Sequence, residues 1–418
     1  MILTKTSHTV FFPGLNSLRF IAAFAVLLTH VELTKKLLGH GEALWLDLHA
    51  TNYLIPLQGC IAGTTRWMAP LLSILGELGV VFFFVLSGFL ITFLLLKEKE
   101  VSGGIAVGKF YLRRLLRIWP LYLLIVVLGF LILPYLDPFE VYQQQRYMWY
   151  GFGTQLILYI CMLPNLSFAH FNIAIPNIGQ AWSIGVEEQF YLIWPWLIIR
   201  SKNIITTILY FLMALIALKA MVSLCPNEWW DGLPTLKRFL GMTKMESMAL
   251  GASGAYLVHR NKLNWLQWIY RPWVQRMAWL MILPLIYVMP KPLMPFFHLV
   301  ESVLFLVVII NVSNNAQSLV QLRWSWMDFL GRISYGIYMY HMMIITLVIY
   351  LVKGRIIGFE RLDLVQNVLV YLLSSVLTIF VAFLSYRYFE MPWMKLKERF
   401  TTIVSGEEAR RQNRREHV

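Results

Sequence analysis

Apolar runs about 20 residues long follow one another along nearly the whole chain. At 1.5 Å of rise per residue, each comes close to the length that crosses the roughly 30 Å hydrocarbon core of a bilayer. In lipid, every backbone N–H and C=O needs a partner from the chain itself, so such runs fold as helices. The expectation is an all-α polytopic membrane bundle of about ten transmembrane helices, over residues 15–33, 76–96, 115–134, 186–200, 203–224, 245–258, 277–289, 295–312, 328–351 and 365–387. Several of these are short for a bilayer, which leaves their ends to be fixed by packing. Composition agrees: 14% of residues are charged, against about 25% in soluble domains. One transmembrane domain, 1–394, followed by a polar basic tail, 395–418, is therefore expected in place of several soluble domains.

The net charge of +14 points to membrane topology and away from nucleic acid, because the basic residues gather at the ends of the apolar runs. With the N-terminus inside, the inner connections hold about twice as many Lys and Arg as the outer ones, so both termini are expected in the cytoplasm. The inner (plasma) membrane is the expected location, and the tail is placed on anionic lipid or in solution. The first run lacks a small-residue cleavage site, which marks it as a retained span. Cys60, Cys161 and Cys225 have no zinc-type spacing. All three face outward on this topology, and a single disulfide of unspecified pairing is compatible with it.

Two outer loops are long, residues 34–75 and 135–185, and loops of that length are commonly functional. The second contains "VYQQQRYMWYGFGTQ", in which aromatic faces and amides alternate. A sugar-binding surface and an interfacial aromatic belt are both open readings.

Ionisable residues inside spans are costly and usually line a polar cavity. The first span, "LNSLRFIAAFAVLLTH", carries Arg19 and His30. Eleven positions are close to three helical turns, so both project from one face, separated by about 16 Å of rise. Taken singly, Arg19 also reads as a snorkelling cation and His30 as a core histidine bonded to a carbonyl. In "KFYLRRLLRIWPLYLL", Arg114 and Arg117 lie three apart on one face. Paired guanidinium groups suit phosphate oxygens, although a positive-inside flank has the same look. Glu187 and Glu188 in "WSIGVEEQFYLIWPW" open an apolar run and point about 100° apart, so at most one is expected to face a common site. They read either as acids at a helix N-terminus or as groups that orient a histidine in the cavity. His341 in "ISYGIYMYH" has Tyr338 one turn before it. Neither histidine belongs to an HExxH pair, and no metal is expected. Ser87 in "GVVFFFVLSGF" lacks the strand-turn-helix setting of a nucleophile elbow, so close packing at Ser87 and Gly88 is expected.

Joined in this order, and with "LSYRYFEMPW" near the end, these segments resemble acyltransferase family 3, the integral-membrane O-acyltransferases. The resemblance spans almost the whole chain and implies a bundle of about ten helices. It also implies transfer of an acyl group, acetyl foremost, from cytoplasmic acyl-CoA to a hydroxyl of an extracytoplasmic acceptor, with a surface or exported polysaccharide first among these. On that basis His30, Arg19, Glu187 and Glu188 are the catalytic candidates, and Arg113, Arg114 and Arg117 the donor-binding ones. Tyr338, His341 and Trp182 are the acceptor-side candidates. Asn16 and Ser17 stand where the first motif often has an acidic residue, and Lys244 and Glu246 where relatives often place Arg and Asp. No SGNH hydrolase segment follows the last span, so the resemblance is to the stand-alone form. Two rival classes stay open: a secondary transporter with a proton or anion path through His30, His341, Arg19 and Glu188, and a non-catalytic membrane scaffold. Acyl chain length, oligomeric state and the choice between covalent and direct transfer are not specified by the sequence.

Overall fold

The apolar runs fold as helices in a computed structural model that describes residues 9–39, 69–139, 151–282, 297–354, 362, 364–405 and 409. A short strand, β1 (Thr9–Val10), leads into α1 (Leu15–Gly39). Next come α2 (Ala69–Ser102) and α3 (Val107–Val127), the latter continuing through a π turn at Leu128–Ile132. Two short helices, α4 (Phe152–Ile160) and α5 (Pro164–Phe171), precede α6 (Trp182–Arg200) and α7 (Ile204–Leu224). Then follow α8 (Leu233–Met242), α9 (Met245–His259), α10 (Leu263–Ile269) and α11 (Pro272–Met281). The last set is α12 (Phe297–Asn314), α13 (Ser325–Arg332), α14 (Ser334–Lys353), α15 (Leu364–Ser385) and α16 (Met391–Glu398), closed by β2 (Val404–Ser405).

Each expected span overlies a helix, and six stretches among the described residues are long and apolar enough to cross a bilayer. The boundaries differ where polar residues find partners. α2 runs on to Ser102, past the expected end at 96, because Lys97 pairs with Glu100 at 3.1 Å and Glu98 with Arg113 at 2.8 Å. The span expected at 328–351 is two helices, broken at Ile333. The span expected from 186 starts at Trp182, so Glu187 and Glu188 sit in the second turn of α6 and not at its N-terminus. That removes the helix-dipole role, which fades beyond the first turn.

α2 is the central helix, flanked by α1 and α9. Small residues let α9 approach it: Ala249, Gly251, Ala252, Gly254 and Ala255 line one short helix. A Cβ on Gly251 would strike the Val85 carbonyl, and one on Gly88 the Met248 carbonyl, so backbone meets backbone here. The outer face of α15 exposes Val365, Val368, Leu372, Val376 and Phe380, an apolar stripe suited to lipid.

The loop expected at 135–185 is partly helical. Of its aromatic and amide stretch, 141–150 lies outside the described residues, and the end that is described packs inward: Phe152 meets Phe130 edge-on at 5.6 Å and Gln155 is buried. Cys161 and Cys225 are free thiols, and Cys60 lies outside the described residues. The N-terminal and C-terminal strands pair in parallel, Thr9 with Val404 and Val10 with Ser405. The two ends of the chain therefore lie side by side.

Candidate active site

A cavity of about 300 Å³ is enclosed by α1, α2, α3, α6, α14 and the two terminal strands. Four helices bring charged groups to it: Arg19 from α1, Glu98 from α2, Arg113, Arg114 and Arg117 from α3, and Glu187 from α6. Arg19 is braced by Asn16, one turn earlier, whose Oδ1 accepts from its guanidinium at 3.0 Å. Arg114 lies over the rings of Phe110 and Tyr191, at 5.8 and 5.9 Å, and its Nε is buried without a hydrogen-bond partner. Arg113 is differently engaged, donating to Glu98 at 2.8 Å and to the Phe400 carbonyl at 2.9 Å. The expected trio of donor arginines thus divides into two that face the cavity and one that braces its rim.

Glu187 faces the cavity and Glu188 turns away, as their 100° separation requires. Glu187 accepts from Ser87 at 2.8 Å through one oxygen and from Tyr191 at 3.0 Å through the other. Glu188 accepts from the Trp119 indole at 3.4 Å. Neither carboxylate orients His30, whose Nδ1 lies 2.9 Å from the Val26 carbonyl in its own helix. The expectation that a glutamate holds the imidazole is corrected by this geometry, because α6 enters the bundle at the depth of the arginines.

The cavity ends at Phe83, Ser183 and Tyr338. The Tyr338 and Ser183 hydroxyls share a hydrogen bond of 2.6 Å. Behind this layer, His30 and His341 lie against each other with ring centroids 4.8 Å apart. His341 is fully buried, with Nδ1 at 2.6 Å from the Tyr338 carbonyl and Nε2 unpartnered. A carbonyl only accepts, so both histidines carry the proton on Nδ1 and present Nε2 as a base. Trp182 packs edge-on against Phe84 at 6.2 Å, away from both groups.

Arg19, Arg114, Arg117, Glu187 and Tyr338 therefore gather at one cavity, and His30 with His341 form a second layer joined to it through Tyr338. Ser87 and Tyr191 are cavity residues that the sequence did not single out for chemistry. Tyr191 stands four residues after Glu187, a helical spacing that signals contact; Ser87 is 100 positions away and has no local signal. No group of three or more potential metal ligands occurs among the described residues.

A family model described as an acyltransferase domain matches residues 12–387. The chain is similar to the O-acetyltransferase OatA of Staphylococcus aureus, strain NCTC 8325 / PS 47, with 26% identity over 413 residues, covering 94% of this chain and 59% of the relative. The same protein from strain MRSA252 matches equally, at 26% identity and the same coverage. The chain thus spans less than two thirds of the curated relatives it matches. No solved structure matches it.

Proposed function

The chain belongs to acyltransferase family 3, and from that premise we propose that it is a membrane O-acyltransferase carrying an acyl group, acetyl foremost, from cytoplasmic acyl-CoA to a hydroxyl of an extracytoplasmic acceptor. A surface or exported polysaccharide is the acceptor class we favour. The proposal includes about ten membrane crossings in the inner (plasma) membrane, with residues 1–394 as the catalytic domain and 395–418 as a cytoplasmic tail. Both termini then face the donor, a topology supported by their pairing and by the Lys and Arg bias.

The observation that carries this reading is the arginine-lined cavity. Arg114 and Arg117 offer planar guanidinium groups to phosphate oxygens, where two parallel hydrogen bonds per group give both strength and orientation. With the phosphates held there, the thioester arm extends past Arg19 toward Tyr338 and the histidines. The Nδ1–H form of His30 leaves Nε2 to take the acceptor's hydroxyl proton. The hydroxyl oxygen then attacks the thioester carbonyl, the C–S bond breaks, and the departing thiolate takes the proton from His30. Arg19 supplies positive charge along the donor's path, and Tyr338 and His341 form the wall between donor cavity and acceptor. Glu187 acts on the arginine side, as the next subsection develops; Glu188 and Trp182 support the packing of α6.

The test is transfer of labelled acetyl from acetyl-CoA in membranes containing the wild type, His30→Ala or Arg114→Ala. Loss of the base is expected to slow transfer by roughly a hundredfold or more, and loss of Arg114 to raise the acetyl-CoA concentration required. Undiminished transfer by the histidine variant would overturn the mechanism.

A further inference from the structure

The cavity holds an apparent contradiction. Glu187 shares it with Arg19, Arg114 and Arg117, and its charge interacts with those of Arg117 and Arg114. A carboxylate within reach of guanidinium groups normally forms forked ion pairs with them. Among the described residues Glu187 makes no such pair. Both of its oxygens are taken instead by neutral hydroxyls, Ser87 from α2 at 2.8 Å and Tyr191 from α6 at 3.0 Å. Arg114, for its part, keeps a buried Nε with no partner.

We propose that Ser87 and Tyr191 are positioning residues that hold the Glu187 carboxylate off the cavity arginines, so that Arg114 and Arg117 stay available to the donor's phosphates. The assignment rests on the acyl-CoA reading above and deepens it. A cavity with three guanidinium groups and no countercharge would be costly in a membrane protein. Glu187 lowers that cost at a distance, and the two hydroxyls set the distance. If either hydroxyl is removed, one carboxylate oxygen loses its donor. The nearest strong donors are then the guanidinium groups, and Glu187 competes with the phosphates for them.

This geometry predicts a specific pattern of rescue. Ser87→Ala and Tyr191→Phe should each weaken binding of coenzyme A to the purified full chain in detergent by roughly tenfold, the effect of about one charge-assisted hydrogen bond. Adding Glu187→Gln to either variant removes the competing charge and should restore binding to the wild-type level. Isothermal titration with coenzyme A, and separately with adenosine 3′,5′-bisphosphate, provides the measurement. The second probe carries phosphates without the thioester arm, so the same pattern with both probes locates the effect at the arginines. Single variants that bind like the wild type overturn the assignment, and so does weakened binding that Glu187→Gln fails to restore, which is what a merely structural role or a direct Ser87–donor contact produces. A wild-type chain that binds neither probe overturns the donor reading itself.

Discussion

Arg113, Arg114 and Arg117 occupy one stretch of α3, yet their environments assign them different work. Arg113 neutralises Glu98, which is 3% exposed, and also holds the Phe400 carbonyl. Removing one partner of a buried pair strands the other, at a cost on the order of 3 kcal/mol. Arg113→Ala is thus expected to lower the thermal unfolding midpoint in detergent clearly, whereas Arg114→Ala leaves the midpoint near wild type and weakens donor binding. Equal midpoints for the two variants would contradict this division. The sequence revealed the shared face of Arg19 and His30 because one helix carries both, and the 100° rule correctly allowed only one of the two glutamates to face the site. It left Ser87 to packing, since no periodicity within α2 announces a partner on α6. Residue spacing reports on contacts inside an element; a hydrogen bond between elements has to wait for the fold.

Between elements, the tightest constraint is the approach of α9 to α2. Gly88→Leu places a side chain where the Met248 carbonyl lies, so the helices must separate or shift, and such overpacking costs about 1–3 kcal/mol. Gly108→Ala, on α3, meets nothing within 4 Å and is expected to be neutral or slightly stabilising. Unfolding midpoints of the two variants measured side by side test whether contact, and not glycine itself, sets stability. α9 also explains a charge that looked out of place in a span: Lys219 of α7 pairs with Glu246 at 2.7 Å, and Glu246 is 1% exposed. Lys219→Met should destabilise the chain by roughly 3 kcal/mol, and Lys219→Met with Glu246→Gln should recover most of the loss. Failure of the double variant to recover would show that Lys219 contributes through its other bond, to the Thr243 carbonyl at 2.7 Å. Hydropathy located these helices well but misplaced their ends, because α2 and α6 extend wherever side chains such as Glu98 or Tyr191 find partners.

For the molecule as a whole, the parallel pairing of β1 with β2 brings the chain's two ends to one place. The same terminal segments contribute Val10, Phe12, Met394, Lys397 and Ile403 to the wall of the arginine cavity, so the ends and the donor site share a side of the membrane. The excess of Lys and Arg in the same set of connections assigns that side to the cytoplasm. Nothing in the hydropathy profile couples residue 9 to residue 404; only the bundle's closure does so, and it converts a statistical orientation into a linked one. Reporter fusions at the N-terminus and at the C-terminus, each active only in the cytoplasm or only outside it, should therefore agree in every case, and the cytoplasmic reporters should be the active ones. Opposite sides for the two ends would break the pairing on which the closed cavity depends. Matching ends on the outer face would instead preserve the fold and place the arginines away from cytoplasmic acyl-CoA, which would remove the donor from the mechanism while leaving the architecture intact.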